Sequence, residues 1–160
     1  MRASIEFEAF YLREHARLVA SLTALSGDRD AAREATDEAF VRALERWKRV
    51  AAMESPAGWT YRVALNALRR TKRRAAMERR VAPPPAMGSQ TMPDAELWDV
   101  VRALPERQRQ AVALRYVADL TEADIATAMR ISRGSVASTL FDARARLAEV
   151  LGEPELVEEL

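Results

Sequence analysis

The chain of 160 residues contains no cysteine. Disulfides, thiolate metal centres and cysteine nucleophiles are therefore excluded. His15 is the only histidine, so a metal site built from several histidines is excluded too. Glycine is scarce, at five residues, while 49% of the chain is hydrophobic. That balance predicts a folded, helix-rich protein. No apolar run approaches the roughly 20 residues needed to span a bilayer. The N-terminus lacks the pattern of a signal peptide. The expectation is a cytoplasmic protein with no cofactor, no metal, no membrane insertion and no small-molecule substrate.

Charge is present in quantity but badly distributed. The formal net charge is +1. Residues 55–80 nevertheless hold eight basic side chains, Arg62, Arg69, Arg70, Lys72, Arg73, Arg74, Arg79 and Arg80, against Glu78 alone. The last ten residues hold four glutamates and no basic residue. A concentrated basic segment beside an acidic tail points to a polyanionic partner. The plainer alternative is a solvated helix face.

Proline divides the chain. Residues 81–93 read VAPPPAMGSQTMP, with four prolines. Three consecutive prolines cannot lie inside a helix and favour an extended spacer. The division predicts an all-α protein: a small domain over 1–80, a flexible Pro-rich linker over 81–93, a second small domain over 94–152 and an acidic tail over 153–160. In the first domain, Phe7, Phe10, Leu18, Leu22 and Leu25 predict a helix from about Ser4 to Leu25. Asp28 or Asp30 caps a second helix, whose Ala35, Ala39, Phe40, Ala43, Leu44 and Trp47 repeat at helical steps. A loop follows, Lys48 to Ser55. Ser55-Pro56 then starts a third helix reaching about Arg80, with serine at the N-cap and proline in the first turn.

In the second domain a helix is expected near Asp94–Ala103, and another from Leu104-Pro105 to about Val117. Residues 121–147, TEADIATAMRISRGSVASTLFDARARL, are the most informative stretch. Thr121 caps a short helix ending near Met129, with Asp124 as a shortened capping-box glutamate. Arg130 and Ile131 make a tight connection, and Ser132 caps a longer helix from Arg133. Ile125, Ala126, Met129, Ile131, Val136, Leu140 and Leu147 supply the apolar face. Two capped helices and a short turn make a helix-turn-helix, whose second helix fits a DNA major groove. Two core helices of an unrelated bundle are the alternative.

In the basic helix, Trp59, Arg62, Asn66, Arg69 and Arg73 are spaced by three, four, three and four, and so share one face. Arginine neutralises phosphate, asparagine pairs with a base edge and tryptophan stacks on an unpaired base. The face suits a DNA strand being opened, whereas a tryptophan at this spacing also serves as core.

In combination, the stretches GDRDAAREATDEAFVRALERW, SPAGWTYRVALNALRRTKRR, ALPERQRQAVALRYVADLTEADIA and ISRGSVASTL resemble the extracytoplasmic-function type of sigma-70 family sigma factor. The resemblance covers roughly residues 5–150. It implies a region 2-like three-helix domain and a region 4-like helix-turn-helix domain. It also implies core RNA polymerase and promoter DNA as partners, leaves an anti-sigma factor open as a third, and implies no catalytic activity. By position, Glu34, Asp37, Glu38, Phe40 and Arg42 resemble the polymerase-binding surface. Lys48, Ser55, Trp59, Arg62, Asn66, Arg69, Arg70 and Arg73 fall on the part that reads and opens the −10 element. Arg133, Gly134, Ser135, Ser138, Thr139 and Arg144 fall on or beside the −35-reading surface. The chain departs from the family pattern at several of these places. Asp37 stands where glutamine is usual, Glu34 where aspartate is, and Arg70 where asparagine or aspartate is common. Ala137, Thr139 and Asp142 stand where lysine or arginine is common. The rival readings are a stand-alone helix-turn-helix regulator and a sigma-like protein that docks on polymerase without reading promoters.

Overall fold

The computed structural model describes residues 1–80 and 95–152, and every regular element among them is helical. The expected linker and acidic tail lie outside the described residues.

The first half is built from α1 (Arg2–Ser26), α2 (Arg29–Glu45), the single turn α3 (Trp47–Val50) and α4 (Pro56–Arg79). Gly27 stops α1 in the left-handed conformation that glycine adopts freely, with φ 69°. Asp28 caps α2 by accepting the Ala31 N–H at 3.0 Å. The inner face of α2 is almost all alanine, with Ala31, Ala32, Ala35, Ala39 and Ala43 buried. Small side chains let α1 and α4 approach α2 closely, and Leu18, Leu22, Leu65 and Leu68 fill the space between them. One end is closed by aromatic rings. Phe7 and Phe10 lie 5.3 and 5.1 Å from the Trp47 ring, and Phe10 lies 5.7 Å from Phe40.

Two expectations need correction here. Lys48 lies on the α3 turn rather than in a loop, because burial of Trp47 and Val50 holds the chain against α1 and α2 as one more turn of helix. Leu44 is 55% exposed and is not core. It lies about 100° round the helix from Ala43, on the outward side with Val41.

The second half comprises α5 (Ala95–Ala103), α6 (Glu106–Val112) with a π-helical turn over Ala113–Val117, α7 (Glu122–Met129) and α8 (Arg133–Leu151). The π-turn is closed by Ala118 N–H donating to Ala113 O at 3.2 Å. Thr121 accepts the Asp124 N–H and Ser132 accepts the Ser135 N–H, so both expected caps form. Arg130, in the left-handed conformation at φ 56°, turns the chain between the two helices. Ile125, Val136, Leu140 and Leu147 are buried between α7, α8 and the preceding segment.

The halves pack on each other. The α7 helix lies against α4, and the π-turn against α1. The Arg102 guanidinium donates to Ala24 O at 3.2 Å near the end of α1, where the helix dipole favours a cation. Buried Tyr61 reaches Glu14 at 3.5 Å. Burial, with Glu14 beside it, raises the Tyr61 phenol well above its ordinary value, so it remains a donor.

Candidate polymerase and nucleic-acid interfaces

The outer face of α2 carries Glu34, Asp37, Val41 and Leu44 in exposed positions. Glu38 sits at its edge and accepts from two guanidinium groups, Arg42 at 2.8 Å and Arg70 at 2.6 Å. Phe40 does not belong to this surface. It is 3% exposed and sits in the aromatic cluster, so its part is to hold α2 in place. Val41 and Leu44 were missed by sequence reasoning because apolar residues at helical spacing read as core. The signal available was their offset from the alanine face. Asp37 also lies 3.0 Å from His15 across the α1–α2 contact.

The α4 helix fixes the second group of residues. Ser55 Oγ accepts the Gly58 N–H at 3.0 Å, and Pro56 fills the first turn, as the sequence implies. One continuous helix places Trp59, Arg62, Asn66, Arg69 and Arg73 along one side. Asn66, Arg69 and Arg73 are exposed, whereas Trp59 and Arg62 are half-buried. Arg70 turns away from this stripe towards α2, where it meets Glu38. Three members of the group face the second half. Ser55 is buried and donates its hydroxyl proton to Asp124 at 2.6 Å. Arg69 Nε donates to Glu106 at 3.1 Å. Arg62 holds its proton less firmly than usual, because it is partly desolvated and then because Arg130 adds like charge. The expected capping role of the Asp124 side chain is thus replaced by a bond to the other half. An aspartate is one methylene short of the glutamate that reaches back within a capping box, and the Ser55 hydroxyl is on hand instead.

The third group lies on and around α8. Ser135 and Ser138 are tied into the first turns, the Ser135 hydroxyl to Ser132 at 2.9 Å and the Ser138 hydroxyl to Ser135 O at 3.2 Å. Arg144 donates to the Tyr116 hydroxyl at 2.6 Å and lies over that ring, while Thr139 is half-buried. Gly134, Ala137, Ser138, Phe141 and Ala145 form the outermost face, all exposed. Phe141, at 71% exposure, was not singled out in the sequence. The flanks carry Arg133 on one side and Asp142, then Arg146, on the other, all exposed. Such a face can seat closely against base edges, with cations for phosphates at its rims and Asp142 opposing phosphate on one of them. Among the described residues no group of acidic or histidine side chains is arranged to hold a metal ion, and no helix is long and apolar enough to cross a membrane.

The family model Sigma-70 region 2 matches residues 10–77, and the model Sigma-70, region 4 matches residues 94–147. The RNA polymerase sigma-E factor of Streptomyces avermitilis is 29% identical, over 95% of this chain and 88% of its own length. In fold, the chain resembles the sigma factor RpoE solved in complex with the anti-sigma factor NepR from Bartonella quintana. That match has a TM-score of 0.72 at 20% identity, over 92% of this chain and 97% of that one. It also resembles CnrH, solved in complex with the cytosolic domain of CnrY, with a TM-score of 0.66 at 18% identity over 91% and 87%. With region 2 followed directly by region 4, the chain belongs to the sigma-70 family and is a sigma factor of the extracytoplasmic-function type, directing transcription initiation.

Proposed function

We propose a division of labour between the halves, with residues 1–80 binding core polymerase and opening the −10 element, and residues 94–152 reading the −35 element across the connection 81–93. The carrying observation is the single continuous α4 helix, which lines up Trp59, Arg62, Asn66, Arg69 and Arg73 beside an acidic face on α2. Glu34, Asp37, Glu38 and Arg42, with Val41 and Leu44, meet the polymerase. Trp59 stacks on an exposed base, a contact worth about 1–3 kcal/mol. Asn66 meets a base edge, and Arg62, Arg69 and Arg73 hold phosphates. Lys48 and Ser55 border the same path. In the second half, Gly134 and Ser138 approach the bases while Arg133 anchors the backbone.

The chain has no catalytic chemistry of its own and works in the cytoplasm, where polymerase and promoter meet. An anti-sigma protein is a fitting regulator, because one solved structure of similar fold, the sigma factor RpoE, was captured with a partner described in those terms. The test is reconstituted transcription from a genomic library with core polymerase. Initiation at a defined set of start sites, absent without the chain, is the expected result. No association with core polymerase at low salt would sink the proposal.

A further inference from the structure

We propose that the outward face of α1 is a self-association surface, through which two copies of the chain pair antiparallel about a two-fold axis over residues 5–16. This surface is separate from α4 and α8, and so does not rest on their assignment to DNA.

The α1 helix has two apolar faces. On one, Phe7, Phe10, Leu18 and Leu22 pack into the body. The other points away from it. Ile5, Ala9, Leu12 and Ala16 follow one another at steps of four, three and four. That spacing keeps side chains in one line along a helix, and it is the spacing by which helices pair in coiled coils. All four residues are exposed, Ile5 at 62% and Leu12 at 72%. A surface helix needs only one apolar face to hold it in its own domain, so a second, outward one calls for a partner.

The order of side chains along the line says which partner. Large and small alternate. Laid antiparallel with Ala9 opposite the second copy's Leu12, the line matches large to small at every step. Ile5 meets the second copy's Ala16, Leu12 meets its Ala9, and the two-fold axis repeats each contact. Laid parallel in register, the line would set isoleucine on isoleucine and alanine on alanine, which leaves gaps. Charge favours the antiparallel order too. Glu6 and Arg13, both exposed, lie seven residues apart on one flank of the line, so each Glu6 comes against the other copy's Arg13. Arg13 gives its Nε to Glu14 at 3.0 Å, and a guanidinium has further donors for Glu6. On the other flank Glu8 comes beside His15, so no two acidic groups are forced together. The contact runs about 18 Å along the helix. Its area is small, and the dimer is weak, with a Kd on the order of 100 µM.

The test is sedimentation of the full chain over concentrations spanning that Kd, followed by crosslinking. Wild type should pass from monomer to dimer. Leu12→Glu brings two carboxylates close to the axis and should raise the Kd about tenfold or more, with helicity and thermal unfolding unchanged. Val150→Ser, at an exposed apolar position on α8, should dimerise as wild type does. The chain has no cysteine, so single introduced thiols report the pairing without background. A mixture of Ile5→Cys and Ala16→Cys, oxidised above the Kd, should give a disulfide joining one variant to the other. Either variant alone should not crosslink, because equal positions then lie roughly 16 Å apart along the pair. A wild type that stays monomeric throughout, or a dimer that Leu12→Glu leaves intact, would overturn the proposal. So would disulfides within each variant instead of between the two, the signature of parallel pairing.

Discussion

Glu38 holds Arg42 and Arg70 together, and so ties the outer face of α2 to the side of α4. Both pairs are partly exposed, where an ion pair contributes about 0–1 kcal/mol. Glu38→Ala should therefore leave thermal unfolding nearly unchanged yet weaken polymerase association about tenfold, checked by calorimetry beside a pull-down titration. Leu44→Ser should behave in the same way. A solvent-facing substitution costs within about 0.5 kcal/mol, but an apolar contact with the partner is lost. Unfolding of Leu44→Ser as severe as that of a core variant would show that Leu44 is not surface. Arg69→Ala and Arg73→Ala should each lower the salt slope of promoter binding by about one unit. At this scale the sequence was informative about residue type and weaker about direction. Arginines on α4 were legible from their spacing, but Arg70 lies one step round the helix and faces Glu38 instead. Phe40 sits on a stretch that resembles a binding surface, yet aromatic packing takes it inside. Ser55 reads as loop edge, yet it is buried by a partner 69 positions away.

Helix ends were the most legible elements, because cap chemistry is local. Asp28, Ser55, Thr121 and Ser132 each accept the backbone N–H three residues on, as their positions imply. Ser132→Ala should cost about 1 kcal/mol, read as a lowered denaturation midpoint with the cooperativity of unfolding retained. The α3 turn and the π-turn were not legible. Each depends on which residues neighbouring helices bury, and that is not a property of a short window. The α4 helix carries its own prediction. Trp59→Ala and Asn66→Ala should leave polymerase binding intact and slow initiation on duplex promoters. Activity should return on templates with a pre-melted bubble, because unstacking a base costs a few kcal/mol that the bubble removes in advance. Equal activity of wild type and Trp59→Ala on duplex DNA would make Trp59 a packing residue.

The division of the chain into two halves was legible from composition, since three prolines in a row exclude a helix. Their packing was not, because the contacts that make it join residues such as Arg102 and Ala24, 78 positions apart. Proteolytic nicking between Arg80 and Ala95 should leave the wild-type fragments eluting together. Thr127 of α7 lies against Gly58 of α4, so the fragments of Thr127→Leu should elute apart on gel filtration; co-elution would mean that the α4–α7 contact is not what joins the halves. The π-turn at Ala113–Val117 bears on how a chain like this can change in length. A π-turn is an α-helix carrying one surplus residue in its ladder. Deleting a single residue there would leave an unbroken helix, a loss that most helices cannot absorb without a frameshift of their buried face. The surplus residue is taken up inside the turn, so the segments that follow would keep their direction and α7 its place against α4. Among sequences otherwise like this one, gain or loss of that one residue would change the length of the chain while leaving the docking of the halves as it is.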